Sequence, residues 1–333
     1  MTERPLTRAP RPVPGAWLWG VAQWVGLAAT VALIAGLVWK PEETLAVLWY
    51  GIVPLLPLTF LLSTQIWRNV CPIATLNTMT GDRFGDRRLA GEWFRTLSWI
   101  GLALLVLMVP ARRFLFNVDG PVLAFTIAAT GVLALLGGLV FDKKAAFCNG
   151  ICPVLPVERL YGQRPLVQVP NARCAPCRRC TMGACLDLVP GMAAISLVDR
   201  VTSRTSWMRT PFGLFALAFP GFVIGYSLLA DAGLASAGSV YGAVALAAVG
   251  SLLILGVGFA LTGVEAATGL LICAGLAAGF YYWYTPAAVA TAFGLSPMAT
   301  NGIRAASLLL VSAWLVRSLR PDRVRLQMGR ARS

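Results

Sequence analysis

The 333-residue chain contains no histidine. That absence removes bis-histidine haem ligation, histidine-bound zinc, Rieske centres and histidine general bases in one step. Charge is scarce as well. Asp, Glu, Lys and Arg make up 13% of the residues, while 57% are hydrophobic. That is too little charge for a soluble protein of this length, so the chain reads as an all-α, polytopic integral membrane protein. Acids are the rarer sign, 14 against 28 bases, which leaves a net charge of +14. A nucleic-acid partner is not expected from this charge, because the basic residues lie in short loops beside apolar runs, where membrane topology places them.

Eight apolar runs follow one another, near 16–39, 45–66, 94–110, 121–141, 211–230, 239–261, 266–284 and 302–316. The first is long enough to span and lacks a small-residue cleavage site, which favours a retained helix over a signal peptide. They divide the chain into a four-helix region (1–141), a cysteine-rich loop (142–210) and a second region of about four helices with a basic tail (211–333). With both termini cytoplasmic, all Lys and Arg except Lys40, Arg112, Arg113 and Arg304 fall on the cytoplasmic side. This agrees with the positive-inside rule and places the cysteine loop on that side, with membrane lipid around the helices. Tyr281–Tyr284 reads as an interfacial aromatic belt, Asp231 and Glu265 as turn residues at span ends, and the lone Cys273 as a small core residue.

The other seven cysteines carry the chemistry. Cys174, Cys177, Cys180 and Cys185 form C-x2-C-x2-C-x4-C, and Cys148 and Cys152 form C-x3-C followed by Pro153. Cys71 precedes Pro72. Two successive C-x2-C steps offer three thiolates to one cubane, and a remote Cys-Pro supplies the fourth ligand in the bacterial ferredoxin pattern. One or two [4Fe–4S] clusters are therefore expected. Structural zinc more often uses two separated C-x2-C pairs. Disulfides fit poorly beside so many cytoplasmic-type basic residues. Seven ligands leave three assignments open. Cys174, Cys177 and Cys180 can take Cys152 or Cys71 as fourth ligand. Alternatively Cys71, Cys148, Cys152 and Cys185 form one set and leave the other three with an open iron. The third assignment has a single cluster plus a Cys148/Cys152 thiol pair. Arg173, Arg178 and Arg179 flank the run and would offset the charge of a thiolate-bound cluster; they equally suit a positive loop near anionic lipid.

The two Cys-Pro loops also resemble each other. WRNVCPIATLNTMTGDR, from Trp67, aligns without a gap on CNGICPVLPVERLYGQR, from Cys148. Cys71, Pro72, Gly81 and Arg83 match Cys152, Pro153, Gly162 and Arg164, and Trp67 stands where the second copy has Cys148. Each loop follows a pair of expected spans. The pattern predicts a duplicated helix–helix–loop unit with an approximate two-fold axis along the membrane normal.

A C-x3-C-P after a transmembrane helix, followed by a ferredoxin-like cysteine run, resembles the membrane-bound 4Fe–4S polyferredoxins of the NapH, NosR and CcoG type. CNGICPVLPVERLYG is similar to that family's second C-x3-C-P motif, and the resemblance covers about 45–189. The chain differs in having one ferredoxin-like run with x4 and no proline after Cys185. What the resemblance implies is electron transfer at the cytoplasmic face of a bacterial inner membrane, between quinol and a cytoplasmic or membrane redox partner protein. Other readings are an accessory or assembly factor for a metalloenzyme or oxidase, a membrane thiol–disulfide protein using Cys148 and Cys152, and a transporter-like bundle with structural zinc.

Overall fold

The computed structural model describes residues 15–89, 91–169, 171, 185–187, 189–198 and 205–320. Among them there is no strand, only an isolated bridge between Arg87 and Phe141. The first half comprises α1 (Ala16–Trp39), α2 (Pro41–Ala46), α3 (Leu55–Val70), α4 (Pro72–Gly81), α5 (Gly91–Ala111) and α6 (Gly120–Val140). Short α7 (Leu155–Tyr161) and α8 (Pro190–Ala193) lie in the cysteine-bearing stretch. The second half comprises α9 (Pro211–Ser227), α10 (Ala237–Thr262), α11 (Ala266–Phe293) and α12 (Pro297–Leu319). Among the described residues six helices are long and apolar enough to cross a membrane: α1, α5, α6, α10, α11 and α12. The bent pair α2–α3 brings the count to seven if taken as one span, and α9, at 17 residues, is shorter. The expected eight straight spans become six long helices, one broken one and one short one.

The second expected span is the one that breaks, and its backbone shows why. A π turn over Val47–Ile52 precedes Pro54, and the two helical pieces meet at 50°. The Leu58 N–H, which would bond to the Pro54 carbonyl in a continuous helix, instead donates to the Tyr282 hydroxyl at 3.0 Å. That hydroxyl donates to the Pro54 carbonyl at 2.7 Å. A tyrosine from α11 is thus inserted into the helical ladder, one of the recognised causes of a sharp bend. Further on, Ser63 is extended (φ −167°, ψ 113°). The released carbonyls of Leu61 and Leu62 accept the N–H groups of Leu166 and Val167 at 3.0 and 2.8 Å. Each break is therefore closed by another part of the chain, as backbone away from water requires.

Tyr282 corrects the reading of Tyr281–Tyr284 as an interfacial belt. It lies mid-helix in α11 and is 3% exposed. Cys273, on the same helix, is fully buried in the largest apolar cluster, together with Phe219, Leu270 and Trp314. Asp231 is more than a turn residue. It accepts from Arg113 at 2.9 Å and Asn117 at 2.8 Å, joining the end of α5 to the loop after α9. Beside this pair the Arg112 guanidinium lies 3.7 Å from the centre of the Trp49 ring. Glu265 stands immediately before α11, a turn position as expected.

The short α9 is the hub of the second half. Gly225 lets α10 approach until an added Cβ would stand 3.1 Å from the Val244 Cα. The C-terminal helix braces the first half: Trp314 Nε1 donates to the Arg164 carbonyl at 2.9 Å, and Arg317 to the Leu166 carbonyl at 2.7 Å. The 166–167 segment that closes the Ser63 break is thereby held in place from α12.

Replacing Tyr282 with Phe leaves the Pro54 carbonyl and the Leu58 N–H without their partner. The expected cost is about 1–3 kcal/mol of stability, read as a lower midpoint of unfolding in detergent with the helical content unchanged.

Candidate functional site at the two Cys-Pro turns

Cys71 and Cys152 have nearly the same backbone conformation, φ −54°, ψ 122° and φ −59°, ψ 120°. Each ends one helical segment and precedes a proline that opens the next turn. A break in the helix also precedes each: the extended Ser63 in the first copy, and the turn at 141–146 in the second, where Lys143 takes a φ of +52°. At the offset that carries Cys71 onto Cys152, Ser63 falls on Lys144 and Arg68 falls on Asn149. Arg68 Nη2 donates to Asn149 Oδ1 at 2.7 Å. The two Cys-Pro turns thus share a backbone conformation, and equivalent positions just before them are in contact.

The turns are not at the ends of the long helices, where a cytoplasmic loop was expected to hold them. An added Cβ at Gly26 of α1 would stand 3.0 Å from the Val70 carbonyl oxygen, and one at Gly101 of α5 would stand 3.0 Å from that of Cys152. Gly26 and Gly101 each lie nine residues inside the apolar spans that begin at Trp17 and Glu92. At 1.5 Å per residue, each turn is recessed by about 13 Å along its neighbouring helix. Glycine favours this approach at both places because a Cβ would sit tightly against turn backbone.

Cys71, Cys148 and Cys152 pack into one apolar cluster with Ala74, Ala134 and Phe147. Cys152 also touches the cluster of Leu155, Leu186 and Ala193, beside Cys185. Cys71, Cys148 and Cys152 are free thiols. Cys174, Cys177 and Cys180 lie outside the described residues. Among the described residues no three Cys, Asp, Glu or His side chains converge closely enough to hold a metal ion. Cys71, Cys148, Cys152 and Cys185 thus share a region without making a complete ligand set by themselves.

What draws them together is a buried guanidinium. Arg68 is 3% exposed. Its Nε and Nη2 donate to the two Asp187 oxygens, both at 2.9 Å, and Nη1 donates to Glu158 Oε2 at 2.6 Å. Lys144 Nζ donates to the Arg68 carbonyl at 3.0 Å and to Asp187 Oδ1 at 3.3 Å. Asn171 Nδ2 donates to the same carboxylate. Burial alone would raise the Asp187 carboxyl, but Arg68 and Lys144 outweigh it and hold it well below the usual carboxylate range. Arg68 precedes Cys71 by three residues, Asn149 follows Cys148, Glu158 follows Cys152 by six and Asp187 follows Cys185 by two. One side chain therefore ties the Cys71 segment to those of Cys148, Cys152 and Cys185. The Asn171–Asp187 bond also joins the two ends between which Cys174, Cys177 and Cys180 lie.

The network balances two cations with two carboxylates. Arg159 brings a third cation, 4% exposed, with no ion pair among the described residues. Its contacts there are the Ser98 hydroxyl at 3.5 Å and the Phe94 ring at 5.2 Å. Burial and the neighbouring Arg68 lower its pKa to about 10, and Glu158, Cys185 and Cys152 lie within electrostatic reach. Surplus positive charge beside buried thiols is the environment that an anionic, thiolate-ligated centre needs. Without a metal, burial pushes the Cys152 thiol up to about 12, with Glu158 and Cys71 adding to the effect. Cys148 is raised further by burial and by its two cysteine neighbours. Such thiols are protonated and poorly nucleophilic at neutral pH, whereas a bound metal displaces the proton.

Arg68, Lys144, Glu158 and Asp187 do not stand out in the sequence as site residues. The available signal was their sign: carboxylates are rare here, and two of them fall within the Cys-Pro copy and beside Cys185. No family model matches the chain, and no curated protein or solved structure matches it either.

Substituting Arg68 with Met strands two buried carboxylates and is expected to cost about 3–5 kcal/mol. Arg68→Lys should recover little of this, because a lysine lacks the fork that holds Asp187 through two bonds; unfolding midpoints of the three proteins compare them. In metal-free protein, Cys152 should react with iodoacetamide at pH 8 on the order of a hundredfold to a thousandfold more slowly than a model thiol of pKa 9.0. Mass spectrometry of the labelled peptide measures this.

Proposed function

We propose that the protein is a membrane iron–sulfur electron-transfer protein, passing electrons between quinol and a cytoplasmic or membrane redox partner. The observation that carries the reading is the clamp. Arg68 gathers the Cys71, Cys148–Cys152 and Cys185 segments at one buried place and joins the ends of the stretch holding the ferredoxin-like triplet. Cys71, Cys148, Cys152 and Cys185 would supply thiolates there together with Cys174, Cys177 and Cys180. The resemblance of the motifs to membrane-bound polyferredoxins supports the same reading. A bound [4Fe–4S] cluster takes up and releases single electrons.

In this reading the chain's own residues hold, bury and balance. Arg68 and Lys144 keep Asp187 charged and the Cys185 segment docked. Arg159 offsets the negative charge of thiolates at Cys152 and Cys185. Recessing the turns beside α1 and α5 keeps water away and shortens the distance to carriers dissolved in the lipid. Thiol–disulfide exchange at Cys148 and Cys152 has less support, since burial leaves both thiols protonated. The positive-inside pattern supports placing the cysteine face toward the cytoplasm of a bacterial inner membrane.

Anaerobic purification of the full chain, with iron and acid-labile sulfide measured per chain and EPR of the dithionite-reduced sample, tests the proposal. About eight of each indicates two cubanes and about four indicates one. Serine at Cys152 should lower the iron content or change the EPR signal. Zinc without sulfide would overturn the electron-transfer reading.

A further inference from the structure

Between α5, α9 and α10 the chain encloses a crevice of about 460 Å³. It runs from Trp99 to Pro110 on α5, from Pro211 to Phe222 on α9, and from Tyr241 to Leu252 on α10. Each helix contributes an eleven-residue step, about 16 Å at 1.5 Å per residue. That is close to half the thickness of a bilayer's hydrocarbon core, about 30 Å. The walls are almost wholly aliphatic and aromatic. The Tyr241 hydroxyl is already committed, donating to the Leu107 carbonyl at 2.6 Å. With walls this apolar the crevice suits neither ordered water nor a headgroup, and its length suits a hydrocarbon chain.

Its position separates it from an ordinary lipid-facing groove. Trp99 and Leu102 line it and flank Gly101, the residue against which the Cys152 carbonyl packs. Ser98, next to Trp99, is the hydroxyl that faces Arg159. On the α9 wall, Phe215 and Phe219 lie 5.0 Å apart between ring centres, and Phe219 lies 6.2 Å from Tyr161, two residues beyond Arg159. The stretch of α5 that lines the crevice is thus the one that packs against the cysteine turn.

We propose that this crevice is the seat of the hydrocarbon tail of a membrane-dissolved, prenylated redox carrier. The identity of the carrier rests on the electron-transfer reading above; the existence of a chain-binding slot does not. The arrangement also assigns a role to α9 and α10: together with α5 they form the slot.

The test uses the full-length protein in lipid nanodiscs and a photoactivatable prenylated benzoquinone with the reactive group on its tail. Labelled peptides are expected from α5, α9 and α10. Ala245 lines the crevice, whereas its neighbour Leu246 is 76% exposed and does not. Ala245→Phe should fill the slot and reduce labelling about tenfold, and Leu246→Phe should leave it unchanged. An excess of unlabelled prenylated quinone should compete, and an equal excess of phospholipid should not. Labelling that is indifferent to Ala245→Phe would overturn the site. Equal competition by phospholipid would make the slot a structural lipid site and overturn the carrier assignment. Iron and sulfide are measured on the same samples, so a protein without clusters that still shows competed labelling would separate failure of the electron-transfer reading from failure of the slot.

Discussion

The buried guanidinium of Arg68 is the interaction on which the rest of the structure depends. It lies in a chain with few charges, where a lone cation without partners would be prohibitively costly. It is held by two carboxylates, an asparagine and the packing of the segments that bring them. Those segments are the ones that carry Cys71, Cys148, Cys152 and Cys185. The energetic requirement to satisfy one arginine and the geometric requirement to gather dispersed thiols are met by the same contacts.

Gathering the thiols in this way requires broken helices. A continuous helix from 41 to 81 would carry Cys71 about 45 Å from Pro41, beyond a hydrocarbon core of about 30 Å. The π turn at Val47–Ile52, the Tyr282 hydroxyl between Pro54 and Leu58, and the extended Ser63 shorten and redirect that path. Each interruption frees backbone groups that no water can reach, and each is closed from elsewhere, by Tyr282 of α11 or by the 166–167 segment. Because α12 pins that segment through Trp314 and Arg317, the C-terminal helices brace the cysteine site as well as lining the crevice beside it.

The duplication gives this economy a simple origin. In both copies a long helix offers a glycine nine residues in and a Cys-Pro turn docks on it, while only the first copy's second span breaks and α6 stays whole. The copies then differ in what they hold. At the position of Glu158, which binds Arg68, the first copy has Asn77, whose Nδ2 donates to the Ala134 carbonyl at 2.9 Å. The charge that assembles the site comes from combining unlike residues of two similar units, so neither unit could form the clamp alone.

Much of this was legible in the sequence. Hydropathy alone determined an all-α, membrane-type chain, because an apolar run of about twenty residues has few other stable states. The offset between the two Cys-Pro motifs pointed to a repeat, and cysteine spacing singled out the ligand candidates. Only the tertiary structure decided that Cys71 and Cys152 sit recessed beside Gly26 and Gly101, that Tyr282 belongs to the core, and that Arg68, Lys144, Glu158 and Asp187 form one network. The physical reason is separation along the chain. Arg68 and Asp187 are 119 residues apart and Tyr282 and Pro54 are 228 apart. No local periodicity or spacing encodes which distant partner will close a broken helix or neutralise a buried charge.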